Sequence, residues 1–111
     1  MAAVVTLDAC AGAAERPLLE QFFGASRLRD RTALQTVSTT TFEPREQGIV
    51  RTFEIIGVTP ERLEGPNLVK EVTVEAPVIL PDGQTVQKTL VVTMQRAGGE
   101  NPGRWFVTGV R

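Results

Sequence analysis

At 111 residues and a net charge of −1, the chain has the size of one domain, and its 41% hydrophobic and 23% charged residues are typical of a globular protein. The charge balance excludes the basic footprint of a nucleic-acid-binding protein, and no apolar run reaches the ~18 residues of a transmembrane helix. The chain has no histidine, no tyrosine and one cysteine. Histidine-based acid–base catalysis, Cys/His zinc sites and internal disulfides are therefore excluded, and we expect neither a metal ion nor a cofactor.

The N-terminal segment, residues 1–14, is small and apolar and differs in composition from the rest of the chain. Within it, Leu7-Asp8-Ala9-Cys10 resembles the lipobox of bacterial lipoproteins, in which a leucine and a small residue precede an acylated cysteine. The resemblance implies that Cys10 is a lipidation site, that residues 1–14 are a signal-peptide remnant or tether, and that the protein is periplasmic or in the cell envelope. Asp8 and the missing basic n-region depart from the pattern. The alternatives are a frayed terminus or one extra helical turn in a cytoplasmic protein.

Two helices are predicted before the first strand. Pro17 is tolerated in a first turn and costly inside a helix, so the first helix should begin near residues 15–16 and end near Arg29. Asp30 is predicted to cap a short second helix over residues 32–37. The first helix carries an apolar stripe at helical spacing that should face the core: Leu18, Leu19, Phe22, Phe23 and Ser26. Three arginines near its end either complement the helix dipole in solvent or bind an anion: Arg27, Arg29 and Arg31.

The first strand is predicted over residues 49–58, which are rich in β-branched and aromatic side chains. Both parities of this strand are apolar, so its facing is ambiguous. Glu54 is the one acid among its apolar residues. If Glu54 faces a cavity, it could serve as a general acid or base; otherwise it lies in solvent or pairs with Arg51 or Lys88. The Thr-Pro pair that opens residues 59–63 predicts a single helical turn after the strand.

A central hairpin is predicted by the period-two alternation of residues 68–94 around the turn Pro81-Asp82-Gly83-Gln84. Pro77 cannot donate a backbone hydrogen bond, so it should mark a bulge or a point where its strand lacks a partner. A fourth strand is predicted over residues 104–110, and Trp105, the only tryptophan, should anchor the core.

Two helices followed by four antiparallel strands predict an α+β domain over residues 15–111. Three segments carry a resemblance to a known family: Leu18-Leu19-Glu20-Gln21-Phe22-Phe23, Leu28-Arg29-Asp30-Arg31-Thr32-Ala33-Leu34 and Gly103-Arg104-Trp105-Phe106-Val107. Together they resemble the nuclear-transport-factor-two-like, cystatin-like superfamily, and in particular its small bacterial envelope proteins of unassigned function. The resemblance implies a curved four-stranded antiparallel sheet wrapped on a long helix as a cone, often with a pocket and often dimerising through the sheet. Enzymes of the superfamily use Tyr, Asp or His, so the absence of Tyr and His argues against an enzyme.

Three functions remain open from the sequence. The first is a non-catalytic binding or accessory domain of the bacterial cell envelope, holding a small apolar ligand or a protein partner in the cone. The second is a cavity enzyme, similar to an isomerase or dehydratase, that uses a single buried carboxylate such as Glu54. The third is a structural domain that pairs through its sheet, for example as a homodimer. The predicted pocket residues are Phe23, Phe53, Glu54 and Trp105.

Overall fold

The computed structural model describes residues 2–98 and 103–111, with side chains from residue 12 onward. It confirms the predicted α+β class: a long and a short helix pack against a strongly curled antiparallel sheet that forms a half-barrel. The elements are α1 (Ala2–Leu28), α2 (Arg31–Val37), β1 (Ile49–Val50), β2 (Glu54–Val58), β3 (Arg62–Glu64), β4 (Asn67–Ile79), β5 (Thr85–Ala97) and β6 (Phe106–Val110).

Helix α1 begins at Ala2 rather than near residues 15–16, so the predicted start was wrong, and Pro17 lies in the helix interior. Proline lacks an N–H, so it removes the helical bond to the carbonyl of Ala13, at a cost of ~3 kcal/mol or more. Alanine, the strongest helix former, occupies six of the positions 2–14. The alanine-rich segment therefore continues the helix through the proline.

Helix α2 forms where Asp30 predicted it. The Asp30 carboxylate accepts a hydrogen bond from the Ala33 N–H at 3.1 Å, which satisfies one of the free donors of the first turn. The helix ends at Val37. Ser38 then turns towards the sheet, where its hydroxyl donates to the Val107 carbonyl at 3.0 Å, and this bond ties the end of α2 to β6.

The sheet has four rows, and β4 is its central strand. Strands β1, β2 and β3 all pair antiparallel with one edge of β4, while β5 pairs with the other edge and β6 with β5. The hairpin β4–β5 pairs continuously from Asn67 opposite Ala97 to Ile79 opposite Thr85. The predicted hairpin and closing strand are confirmed, and the first row is divided into three pieces.

Pro77 explains one of the breaks in the first row. The N–H of Leu80 donates to the carbonyl of Gln84 at 2.7 Å, so even-numbered β4 residues bond to β5 and odd-numbered residues face the other edge. On that edge β1 ends opposite Val78 and β2 begins opposite Glu75. Pro77 therefore lies where β4 has no partner strand from the described residues on its N–H side, as predicted.

The remainder of the first row differs from the prediction in two ways. Strand β2 contains a register shift between Ile55 and Gly57, which exposes Ile56 and explains why the strand shows no single apolar parity. The helical turn predicted for residues 59–63 was wrong, because β3 pairs with the start of β4 instead. The free N–H and C=O groups along that edge of β4 bond to an extended segment and not to a helical turn.

Gly48 leads the chain into β1 at a position that no other residue fits easily. Its φ is +109°, and a Cβ atom there would lie 2.6 Å from the Ile79 carbonyl oxygen. Both the positive φ and the close approach of β4 require glycine.

The core lies between α1 and the inner face of the sheet, and the predicted α1 stripe is confirmed. Phe22 and Leu19 are completely buried, and Ser26 is 1% exposed. Trp105 is only partly buried and packs at the margin of the core. The central cluster comprises Leu19, Phe22, Phe23, Phe42, Val50, Phe53, Val72, Val74, Ala76, Val78, Leu90, Val92, Met94 and Val107.

Candidate functional site

A cavity of about 240 Å³ lies between α1, the end of α2 and the inner face of the sheet, and we name it the Trp105 cavity. One flank of α1, from Ala14 to Gln21, forms its first wall, because residues spaced three and four apart share a helix face. Its apolar lining includes Leu18, Val37, Met94 and Trp105, and its charged lining comprises Glu15, Lys70 and Arg104.

A buried ion pair forms the polar part of this cavity. Lys70 Nζ donates to Glu15 Oε2 at 2.6 Å, and the two residues are only 7% and 6% exposed. The second carboxylate oxygen, Glu15 Oε1, is buried and has no hydrogen-bond partner among the residues that the structure describes. An unpaired charged oxygen in the interior is costly, and Glu15 is one of the residues that line the cavity.

The Trp105 ring contacts two cations at the same end of the sheet. Lys70 Nζ lies 4.2 Å and Arg96 Cζ lies 5.0 Å from the ring centroid. Lys70 and Arg96 are even-numbered residues of adjacent strands, so both side chains project from the inner face. Such cation–π contacts stabilise a tryptophan at the border of a core, and they hold the ring beside the ion pair.

Sequence reasoning missed Glu15 and Lys70. One signal was present: Lys70 occupies the even parity that Val72 and Val74 place in the core. Glu15 gave no comparable signal, because the proline after it predicted a helix start, where an acid is usual.

The four predicted pocket residues are not brought together. Trp105 lines the Trp105 cavity, whereas Phe23 and Phe53 line a second cavity on the opposite flank of α1, with their ring centroids 5.6 Å apart. Glu54 is exposed at the start of β2, opposite Glu75 of β4. Its side chain is not desolvated by the apolar residues beside it. The Cys10 side chain lies outside the described residues.

The outer face of the sheet is mostly polar. The odd-numbered positions of β4 carry Glu71, Thr73 and Glu75. Glu71 accepts a hydrogen bond from the Arg111 guanidinium at 2.8 Å, and Arg62 approaches it to 3.8 Å. The Arg111 hydrogen bond holds the pKa of Glu71 below its ordinary value of 4.5. The charges of Arg111 and Arg62 lower this pKa further, against an opposing effect of burial.

Within residues 2–98 and 103–111, no helix combines the length and hydrophobicity of a membrane span. The described side chains contain no group of three or more Cys, Asp or Glu residues that could hold a metal ion. Comparisons with protein-family models, with curated proteins and with solved structures give no match to this chain.

Proposed function

We propose that this protein is a non-catalytic binding domain that holds a small, neutral, amphipathic ligand in the Trp105 cavity. The observation that carries the proposal is the carboxylate of Glu15, which lines a cavity of mixed apolar and polar walls and whose buried Oε1 has no hydrogen-bond partner among the described residues. Ligand sites are usually concave and apolar with a few placed polar groups. The cavity volume of about 240 Å³ suits a ligand of fragment size.

The charges around the cavity favour a neutral ligand that carries a hydrogen-bond donor. Lys70 and Arg104 contribute two positive charges against the one negative charge of Glu15, so a cationic ligand meets net repulsion. A neutral N–H or O–H satisfies Glu15 Oε1 without adding charge. The apolar body of such a ligand would contact Leu18 and Trp105.

The test measures binding of cyclohexanecarboxamide through the fluorescence of Trp105, the single tryptophan. Its N,N-dimethyl analogue lacks the N–H donors and serves as the matched ligand. We expect saturable binding of the primary amide and about tenfold weaker binding of the analogue, the loss expected for one hydrogen bond to a charged group. Equal affinities would contradict the role of Glu15.

Two helix-surface variants locate the binding. Ala14→Leu places a larger side chain in the cavity wall and should abolish binding. Ala13→Leu makes the same change at the neighbouring exposed position, which does not line the cavity, and should leave binding unchanged. Binding that persists in Ala14→Leu would place the ligand elsewhere and overturn the proposal.

The alternative functions have weaker support. A cavity enzyme based on Glu54 needs that carboxylate in a pocket, and its side chain is exposed. Pairing through the sheet, as a dimer or with a partner domain, would be favoured by an apolar outer face. The outer positions of β4 are instead mostly polar and charged. For these reasons we favour the binding domain.

We further propose a place in the cell envelope, on the likeness of Leu7-Asp8-Ala9-Cys10 to a lipobox. The gene sequence upstream of Met1 tests this proposal. An in-frame extension with a basic start and an apolar run supports it, and the absence of one contradicts it. The likeness to the nuclear-transport-factor-two-like superfamily is also a proposal; a long helix on a curled sheet agrees with it, but a fold alone does not assign a function.

A further inference from the structure

A second cavity, of about 320 Å³, lies on the opposite flank of α1, and we name it the Phe53 cavity. Three arginines line it: Arg16 and Arg27 from α1, and Arg51 from the segment between β1 and β2. Among the described side chains no carboxylate lies within 4.0 Å of any of the three guanidinium groups. One acid, Glu20, also lines the cavity, so its wall carries a net charge of about +2 at neutral pH.

The floor of the cavity is aromatic. Phe53 is 9% exposed, and its ring lies 5.6 Å from the buried ring of Phe23. The Arg16 guanidinium carbon lies 5.1 Å from the Phe53 ring centroid, so one cation is already held over the floor. Gly24 leaves the helix side open, since a Cβ added there meets no described atom within 4 Å.

The fold makes this opening at the break between β1 and β2. Residues 51–53 lie outside the paired register of β4, opposite Pro77, which has no N–H to offer them. The segment that carries Arg51 is therefore not held flat in the sheet. The α1 residues Arg16, Gly24 and Arg27 fall on the face of the helix that meets this segment.

We infer that the Phe53 cavity binds a small organic phosphate, with the phosphate among Arg16, Arg27 and Arg51 and an apolar group on Phe53. Guanidinium groups bind phosphate oxygens through paired, charge-assisted hydrogen bonds, which explains the preference for arginine at phosphate sites. The aromatic floor favours a phosphate attached to a flat apolar group over inorganic phosphate. This inference is independent of the ligand proposed for the Trp105 cavity.

The experiment is a titration of the full chain with phenyl phosphate, followed by ¹H–¹⁵N NMR at constant ionic strength because salt screens exposed charges. We expect saturable shifts at the amides of Gly24, Thr52 and Phe53. Inorganic phosphate should bind about tenfold more weakly, and benzyl alcohol should not bind. Equal binding of benzyl alcohol, or an absence of saturable shifts with phenyl phosphate, would overturn the inference.

Matched variants separate the cavity from general positive charge. Arg16→Gln and Arg51→Gln should each weaken phenyl phosphate binding about tenfold, the loss of one hydrogen bond to a charged group. Arg45→Gln removes the same charge at an exposed position outside the cavity and should leave the affinity unchanged. An equal loss in Arg45→Gln would show unspecific attraction and would refute a built site.

A variant that keeps every charge gives a second check. Gly24→Leu introduces a good helix former whose side chain fills the open side of the cavity, so the protein should fold and lose phenyl phosphate binding. Undiminished binding in this variant would contradict the inference.

A lipid headgroup could supply the same phosphate chemistry, and vesicles distinguish that source. We expect no Arg51-dependent sedimentation with phosphatidylcholine vesicles that contain phosphatidic acid, because the site is a concave pocket and not a flat basic surface. Arg51-dependent sedimentation without binding of phenyl phosphate would overturn the assignment to a soluble ligand.

Discussion

Replacing Lys70 by methionine tests whether the ion pair of the Trp105 cavity is buried. The substitution removes the hydrogen bond to Glu15 Oε2, and Glu15 Oε1 already has no partner within the described part of the chain. Both oxygens of a residue that is only 6% exposed would then be without a partner. Breaking a buried pair in this way costs ~3–5 kcal/mol, a large part of the 5–15 kcal/mol that typically stabilises a domain.

The double variant Glu15→Met, Lys70→Met separates this cost from a general loss of packing. Methionine has a similar length and volume to both side chains, so the double variant should have about the wild-type free energy of unfolding or exceed it by ~1–4 kcal/mol. Urea denaturation followed by circular dichroism measures wild type, both single variants and the double variant, which gives the coupling energy. A loss below ~1 kcal/mol in Lys70→Met, or additive single effects, would refute the buried pair.

Three further predictions concern the scaffold. Phe22→Ala should lower the free energy of unfolding in urea by ~3–5 kcal/mol, because the ring is completely buried, whereas truncation of Leu28, which is 70% exposed, should change it by less than ~0.5 kcal/mol. Gly48→Ala should lower the melting temperature and reduce the free energy of unfolding by more than ~1 kcal/mol, since the φ of residue 48 is +109° and the added Cβ meets the β4 backbone. An unchanged free energy of unfolding would contradict the close approach of Gly48 to β4. Arg111→Gln should raise the pKa of Glu71 towards 4.5 in an NMR titration, because the hydrogen bond that lowers it is lost. A carboxylate whose pKa is lowered by folding stabilises the folded state at pH values above its pKa in the unfolded chain. The stability difference between wild type and this variant should therefore shrink as the pH falls below 4.5. An unchanged pKa of Glu71 would exclude the hydrogen bond.

Much of the scaffold was predictable because its signals are local. The apolar–polar alternation of β4 and β5 and the glycine in the turn between them specify the hairpin. A one-residue slip in strand register would expose Val72 and its even-numbered apolar neighbours to solvent. Asp30 specifies the start of α2, since its carboxylate bonds within its own first turn. Pro77 indicated a gap in strand pairing because proline has no backbone N–H to donate.

Other features were decided by groups distant in the chain. Residues 59–63 were predicted to form a helical turn, but pairing with the edge of β4 is the alternative for this segment. Strand β3 forms there instead. Pro17 predicted a helix start near residues 15–16 from local sterics alone, yet α1 already begins at Ala2 and runs through the proline.

The candidate sites show the same division. The sequence by itself predicted Phe23, Phe53 and Trp105 as pocket residues, because large aromatic side chains favour the interior, although it left the facing of the strand with Phe53 open. It did not determine which of them share a cavity, and it did not pair Glu15 with Lys70, which are 55 positions apart. A buried ion pair depends on a distance of a few ångströms between two elements and on the exclusion of water around both. Only the packing of α1 on the curled sheet decides those two conditions.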